Sequence, residues 1–214
     1  MEFNDLTYGN PTKDQLKFVQ GTCMVDSLFD SLKNSVIPNN DSELVKDELN
    51  EIVDSLEIVS QPQNKEYYKR YMAYDRNLIQ ALSSIFKQKD IEVEELITEI
   101  VKDIQNLIYK LKFYYQRPRP YQLAQYYKLK LFPYKSFSAH SPSYPSGHTV
   151  EANVILNVIG NMYPTEYNYC KELIDDISYS RIYLGLHFPS DNEGAKEVAK
   201  AILKDPDFAK KYKI

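Results

Sequence analysis

From Asp90 to Leu111 apolar residues recur at the spacing of one helix face. Leu96, Ile97, Ile100, Val101, Ile104, Leu107, Ile108 and Leu111 fall on one side, with Glu95, Glu99, Lys102 and Asp103 on the other. A stripe that long must be buried against other elements, and the rest of the chain offers only helices to cover it. Thr12 to Ser35 places Leu16, Val19, Cys23, Leu28 and Leu32 near one face, and Pro38-Asn39-Asn40 breaks the run. Asp41 or Ser42 then caps a helix with Leu44, Val45, Leu49, Ile52, Val53 and Leu56 in its stripe. After Gln61-Pro62-Gln63-Asn64 a third helix carries Tyr67, Tyr71, Tyr74, Leu78, Leu82 and Ile85. The long helix stops near Arg117-Pro118-Arg119-Pro120, because a residue before proline is pushed out of the α region. A Tyr- and Pro-rich connection follows, from Tyr121 to Tyr144, with a short helix predicted at Gln122 to Lys128. Further helices are predicted from Ser146 to Tyr163-Pro164, from Thr165 to about Leu186 and from Asp191 to about Leu203, ahead of a polar tail. No repeat and no alternating strand pattern interrupts this series, so the predicted fold class is all-α, with one helical domain over 1–214.

At 214 residues the chain can bury one substantial core. Its 26 Lys+Arg against 30 Asp+Glu leave a net charge of −4, which gives no basic field for nucleic acid or an anionic membrane surface. Any affinity for anions must therefore be local. Cys23 and Cys170 lack metal-ligand spacing and read as reduced, buried thiols. The longest apolar run is broken by Glu151, Asn153 and Asn157, so no membrane insertion is expected. Met1 to Asn10 show no charged stretch followed by an apolar one, and a cytoplasmic location is the expectation that follows.

Local anion affinity has a candidate in Ser143-Tyr144-Pro145-Ser146-Gly147-His148-Thr149, a turn leading into the apolar helix from Val150 to Ile159. Ser146 is a good N-cap, Gly147 allows close approach, and free N–H groups at a helix start favour an anion, with His148 beside them able to give a proton. Lys110 and Arg117 are seven positions apart, which is two helical turns and hence one face, so both can point at a single spot. In Ser180-Arg181-Ile182-Tyr183-Leu184-Gly185-Leu186-His187-Phe188-Pro189-Ser190-Asp191, the polar Arg181, His187 and Asp191 interrupt an apolar segment and are costly to bury unpaired. Asp191 accepting from one ring nitrogen of His187 would fix the tautomer and leave the other nitrogen free as a nucleophile.

Lys110, six residues, Arg117-Pro118, then Pro145-Ser146-Gly147-His148, then Ser180-Arg181, five residues, His187, three residues, Asp191 resembles the three-part signature of the type 2 phosphatidic acid phosphatase superfamily. That superfamily includes the bacterial class A acid phosphatases and the vanadium haloperoxidases. The signature lies within 110–191, and 1–63 resemble it only in helical content. The resemblance implies a helical bundle in which His187 attacks phosphorus to give a phosphohistidine, oriented by Asp191. It implies that His148 protonates the leaving oxygen and then activates water. Lys110, Arg117, Arg181 and the N–H groups of Ser146 and Gly147 would hold the non-bridging oxygens.

The implied enzyme is a soluble, metal-independent phosphatase for small phosphate monoesters, most like the class A acid phosphatases, with no cofactor. No metal site is predicted, since His140 has no ligand-spaced partner. Two other readings use the same residues: a haloperoxidase holding vanadate on His187, for which the chain is short, and a non-catalytic module binding phosphate or a phospholipid headgroup. Tyr114, Tyr115, Tyr121 and Tyr144 adjoin signature residues and could line an aromatic lip.

Overall fold

Short polar side chains set the starts of several helices. Thr12 closes a capping box with Gln15 over α1 (Lys13–Gln20). α2 (Phe29–Leu32) is a single turn. Ser42 caps α3 (Glu43–Ser60) by accepting from Val45 N–H, and α4 (Lys65–Arg76) follows the predicted Pro62 break. Asn77 accepts from Gln80 N–H to start α5 (Leu78–Lys87). The long stripe forms α6 (Glu94–Tyr115), and the connection after it carries the short α7 (Pro120–Ala124). α8 (Gly147–Met162), α9 (Tyr167–Tyr183), α10 (Pro189–Lys204) and α11 (Pro206–Tyr212) complete the chain. This computed structural model describes residues 3–214, so Met1 and Glu2, part of the stretch searched for a signal, lie outside it. Among the described residues there is no strand, and the all-α expectation holds.

Boundaries differ from the sequence expectations for local reasons. The run from Thr12 to Ser35 is not one helix, because α1 ends at Gly21 and the chain re-forms a helical turn only at Asp26. Asp90 does not start the long helix. Its φ of 59° and the Ile91 N–H bond to Phe86 O make it part of the turn closing α5. The third predicted helix is two, split at Asn77, and the polar tail contains α11, which buries Phe208 and Tyr212.

α8 is apolar on nearly every side, burying Val150, Ala152, Val154, Ile155, Leu156, Val158 and Ile159, as a central helix must. α6, α9 and α10 pack around it. A second cluster joins Val45, Leu49 and Ile52 of α3 to Leu123, Leu131, Ile182 and Phe188, clamping the α9–α10 connection from the amino-terminal side. Within that connection Gly185 has φ 75°, a left-handed conformation that strains other residues, and a Cβ there would press on Pro133. The reversal aims the next residues, Leu186 and His187, back toward the carbonyl of Arg181, which accepts both their N–H groups.

Candidate active site

His187 and Asp191 meet where α10 begins. Asp191 is fully buried in the first turn, and its Oδ2 accepts from Phe188 N–H at 2.9 Å, from His187 Nδ1 at 3.1 Å and from the Ser143 hydroxyl. Arg117 Nη1 donates to Oδ1 at 2.6 Å. Burial alone would raise the Asp191 pKa, but Arg117, His187 and Ser143 hold it below the ordinary carboxylate range. An ionised carboxylate only accepts, so His187 carries its proton on Nδ1 and presents a lone pair at Nε2. Arg119 Nη1 lies 2.8 Å from that nitrogen. Burial first, and the Arg119 charge second, push the His187 pKa well down, leaving the ring neutral and nucleophilic.

The basic residues around His187 are not the expected pair. Lys110 pairs with Asp26 at 2.5 Å, on the side of α6 that faces the Asp26–Leu28 turn. Arg117 is buried behind Asp191, bonded to it, to Ser190 and to Glu48, with its guanidinium 4.3 Å over Phe188. The shared-face argument fails because α6 ends at Tyr115 and Gln116 turns left-handed, at φ 49°, so Arg117 is not on the helix at all. Lys112 and Arg119 stand in their place. Lys112 is buried, its Nζ donates to Pro142 O at 2.9 Å, and a Cβ on Gly147 would lie 3.5 Å from its Cε. Arg119 is buried too and donates from Nε to Ser141 O and from Nη1 to Leu186 O, both at 2.8 Å. A signal for them was present, since Lys112, six residues and Arg119-Pro120 repeat the same spacing two positions on. Two residues are 200° on a helix, so Lys110 and Lys112 point to opposite sides.

Arg181 is buried near the end of α9. Asp75, at the end of α4, accepts from its Nη2 at 2.9 Å, and Ser138 Oγ lies 3.1 Å away. Asp75 also accepts from Ser136, Ser138 and Phe137 N–H. Burial opposes its charge, but Arg181 and these donors hold its pKa at about 2. Arg181 Nε and Nη1, although buried, have no hydrogen-bond partner among the described residues. Arg117 Nε has none either, but it belongs to the guanidinium over Phe188.

His148 shares a cavity of about 210 Å³ with Asp75, Ser138 and Glu151. Its Nε2 is 3.1 Å from the Tyr74 carbonyl, which can only accept, so the proton of the neutral ring sits there and Nδ1 faces Glu151 Oε2 at 3.9 Å. Burial and then Arg181 lower the His148 pKa to about 3. Burial raises Glu151 to about 7, against the pull of Lys112 and Arg181. The Ser146 N–H is engaged by the Asp191 carbonyl at 3.1 Å, and its hydroxyl lies 2.9 Å from that of Thr149. That leaves the first turn of α8, from Gly147 on, as the source of backbone donors. Of the four tyrosines, Tyr115 and Tyr144 pack on each other at 4.8 Å, Tyr115 also bonding Leu32 O, while Tyr114 and Tyr121 are exposed.

The model of the PAP2 superfamily matches residues 96–195. The matched segment holds Lys112, Arg119, Ser143, His148, Glu151, Arg181, His187 and Asp191, whereas Asp75 and Glu48 reach the site from outside it. Comparison with curated protein sequences yields no match. The fold is similar to that of the first transmembrane PAP2 type phosphatidylglycerolphosphate phosphatase from Bacillus subtilis, with a TM-score of 0.54 and 18% identity, over 89% of this chain and 92% of the other. Among the described residues no helix is long and apolar enough to cross a membrane, and no three His, Cys, Asp or Glu side chains cluster as metal ligands.

Proposed function

We propose that the chain is a phosphatase that hydrolyses small phosphate monoesters through a phosphohistidine on His187, with side chains supplying all the positive charge. One observation carries this reading: Arg181 keeps Nε and Nη1 buried and unpaired, beside a site where Arg119 meets the free nitrogen of His187. Unpaired buried donors are costly, and an oxyanion would satisfy them. Lys112, Arg119, Arg181 and the α8 start compensate the charge on the transferring group, which is most of what phosphoryl transfer asks of a protein.

In the step itself His187 Nε2 forms a bond to phosphorus as the ester P–O bond breaks, and the leaving oxygen takes a proton from His148. Water then attacks phosphorus, His148 accepts its proton, and the P–N bond breaks to return His187 and phosphate. His148 is neutral in the empty site because burial, and after it the charge of Arg181, oppose its proton. A bound phosphate dianion offsets Arg181 and attracts a proton to Nδ1, which favours the charged ring the acid step needs. A preference for transition-state geometry makes orthovanadate the sharpest probe. It should compete with an aryl phosphate and inhibit roughly 10²-fold more tightly than inorganic phosphate. Equal inhibition constants would leave only a phosphate-binding pocket.

Glu151 sets an alkaline limit on anion binding. Below pH 7 its carboxyl is neutral, and above pH 7 it ionises beside Lys112 and Tyr109 of α6, His148 of α8, Arg181 of α9 and Asp75. The new negative charge opposes that of the substrate. In Glu151→Gln the limit should vanish. Phosphate inhibition constants measured for both proteins from pH 5 to 9 give a ratio in which the titration of phosphate cancels. The two constants should agree at acid pH and separate above pH 7, the wild type weaker by about tenfold for a charge at such range. A ratio that stays flat with pH would remove Glu151 from the site.

A further inference from the structure

Glu48 lies on α3, outside the segment matched by the family model, in a part of the chain with no motif. Its carboxylate is nevertheless buried and fully engaged. Oε1 accepts from Ser190 N–H at 2.6 Å, and Oε2 accepts from the Ser190 hydroxyl at 2.9 Å and from Arg117 Nη2 at 3.4 Å. Arg117 Nη1 donates onward to Ser190 Oγ at 2.8 Å and to Asp191 Oδ1 at 2.6 Å. A closed set of bonds thus runs from Glu48 through Arg117 and Ser190 to Asp191 and on to His187.

The charges along this set explain its arrangement. When His187 attacks phosphorus its ring becomes positive, and the Asp191 carboxylate is the group that stabilises it. Arg117, in contact with Asp191, would by itself cancel that carboxylate. A second carboxylate on the far side of Arg117 neutralises the guanidinium and leaves the charge of Asp191 available to His187. We propose that Glu48 is a positioning residue for phosphoryl transfer, anchoring and neutralising Arg117 and Ser190 so that Asp191 stays charged and fixed against His187. This rests on His187 being the nucleophile. Glu48 touches no reacting atom, because Arg117 and Ser190 stand between.

A buried ion pair of purely structural value would affect stability alone, and the cycle below separates the two roles. Glu48→Gln, Arg117→Met and the double variant are compared with wild type by single-turnover phosphorylation from an aryl phosphate and by melting temperature. Glu48→Gln nearly keeps the shape, and phosphorylation should slow about tenfold, a coupling of ordinary size between contacting charges, with substrate affinity unchanged. The double variant should regain most of the rate, to within about threefold of wild type, because both charges leave together. Wild-type phosphorylation in Glu48→Gln, losses that simply multiply in the double variant, or weaker substrate binding at an unchanged rate would each overturn the proposal. If Glu48→Gln does not fold, the double variant decides alone, since Glu48 and Arg117 lose their charges together and Asp191 keeps its bonds from His187, Ser143 and Phe188, and a tenfold or greater loss there overturns the proposal. His187→Ala in the same series tests the underlying assignment. Phosphoenzyme retained in His187→Ala refutes the nucleophile, whereas phosphoenzyme lost there, with Glu48→Gln as fast as wild type, refutes Glu48 only.

Discussion

Replacing His187 with alanine is expected to abolish turnover of an aryl phosphate, with a fall of at least roughly 10⁴-fold, the scale seen when a nucleophile is removed. The reason is geometric. His187 presents Nε2 unprotonated, with its Nδ1 held by Asp191 on one side of the ring and Nε2 met by Arg119 on the other. No second nucleophile is arranged in this way, since the hydroxyl of Ser143 donates to Asp191 and that of Ser146 is bonded to Thr149. With phosphorus-labelled substrate and an alkaline denaturing quench, which preserves phosphohistidine, wild type traps label and His187→Ala does not. Label retained by the variant would move the nucleophile elsewhere and end this mechanism.

Lys112 and Arg119, not Lys110 and Arg117, carry the second large effect. Arg119→Ala and Lys112→Ala should each lower kcat/KM for an aryl phosphate by roughly 10²–10³-fold, the usual consequence of removing one preorganised donor to a developing charge. Lys110→Ala should change it by less than about threefold, because its partly exposed pair with Asp26 is remote from the chemistry and such pairs contribute little. Arg117→Ala is expected to act mainly through the buried carboxylates it leaves unpaired, Asp191 and Glu48, and so to lower the melting temperature as well. The vanadate inhibition constant separates the cases, since it should rise steeply in Arg119→Ala. A Lys110→Ala enzyme as impaired as Lys112→Ala would restore the pairing first read from the spacing.

The placement of His187 and Asp191 was legible because it is local. Four residues at the start of a helix bring the two side chains together, and polar groups in an apolar segment need partners. The all-helical fold was legible for a similar reason, since the periodic stripe of α6 and the apolar run of α8 demand burial whatever the partner. His148 and Arg181 came with the motifs that hold them, and both reach the candidate site.

The basic pair was misread because spacing along a chain equals direction in space only while the helix continues. Gln116 ends α6 in a left-handed turn, and from there the position of Arg117 and Arg119 depends on what the chain packs against. Ser146 illustrates the same limit on a smaller scale, its N–H taken by the Asp191 carbonyl across the site. Composition and pattern alone determined a helical chain, a histidine next to an aspartate at the start of one helix and a second histidine at the start of another. Only the tertiary structure decided which lysine and arginine face that histidine, and that Asp75 and Glu48, far away in sequence and without motif, are the carboxylates that hold Arg181 and Arg117. Such buried charges are selected by partners brought in through long-range packing, and no periodicity in the sequence records that choice.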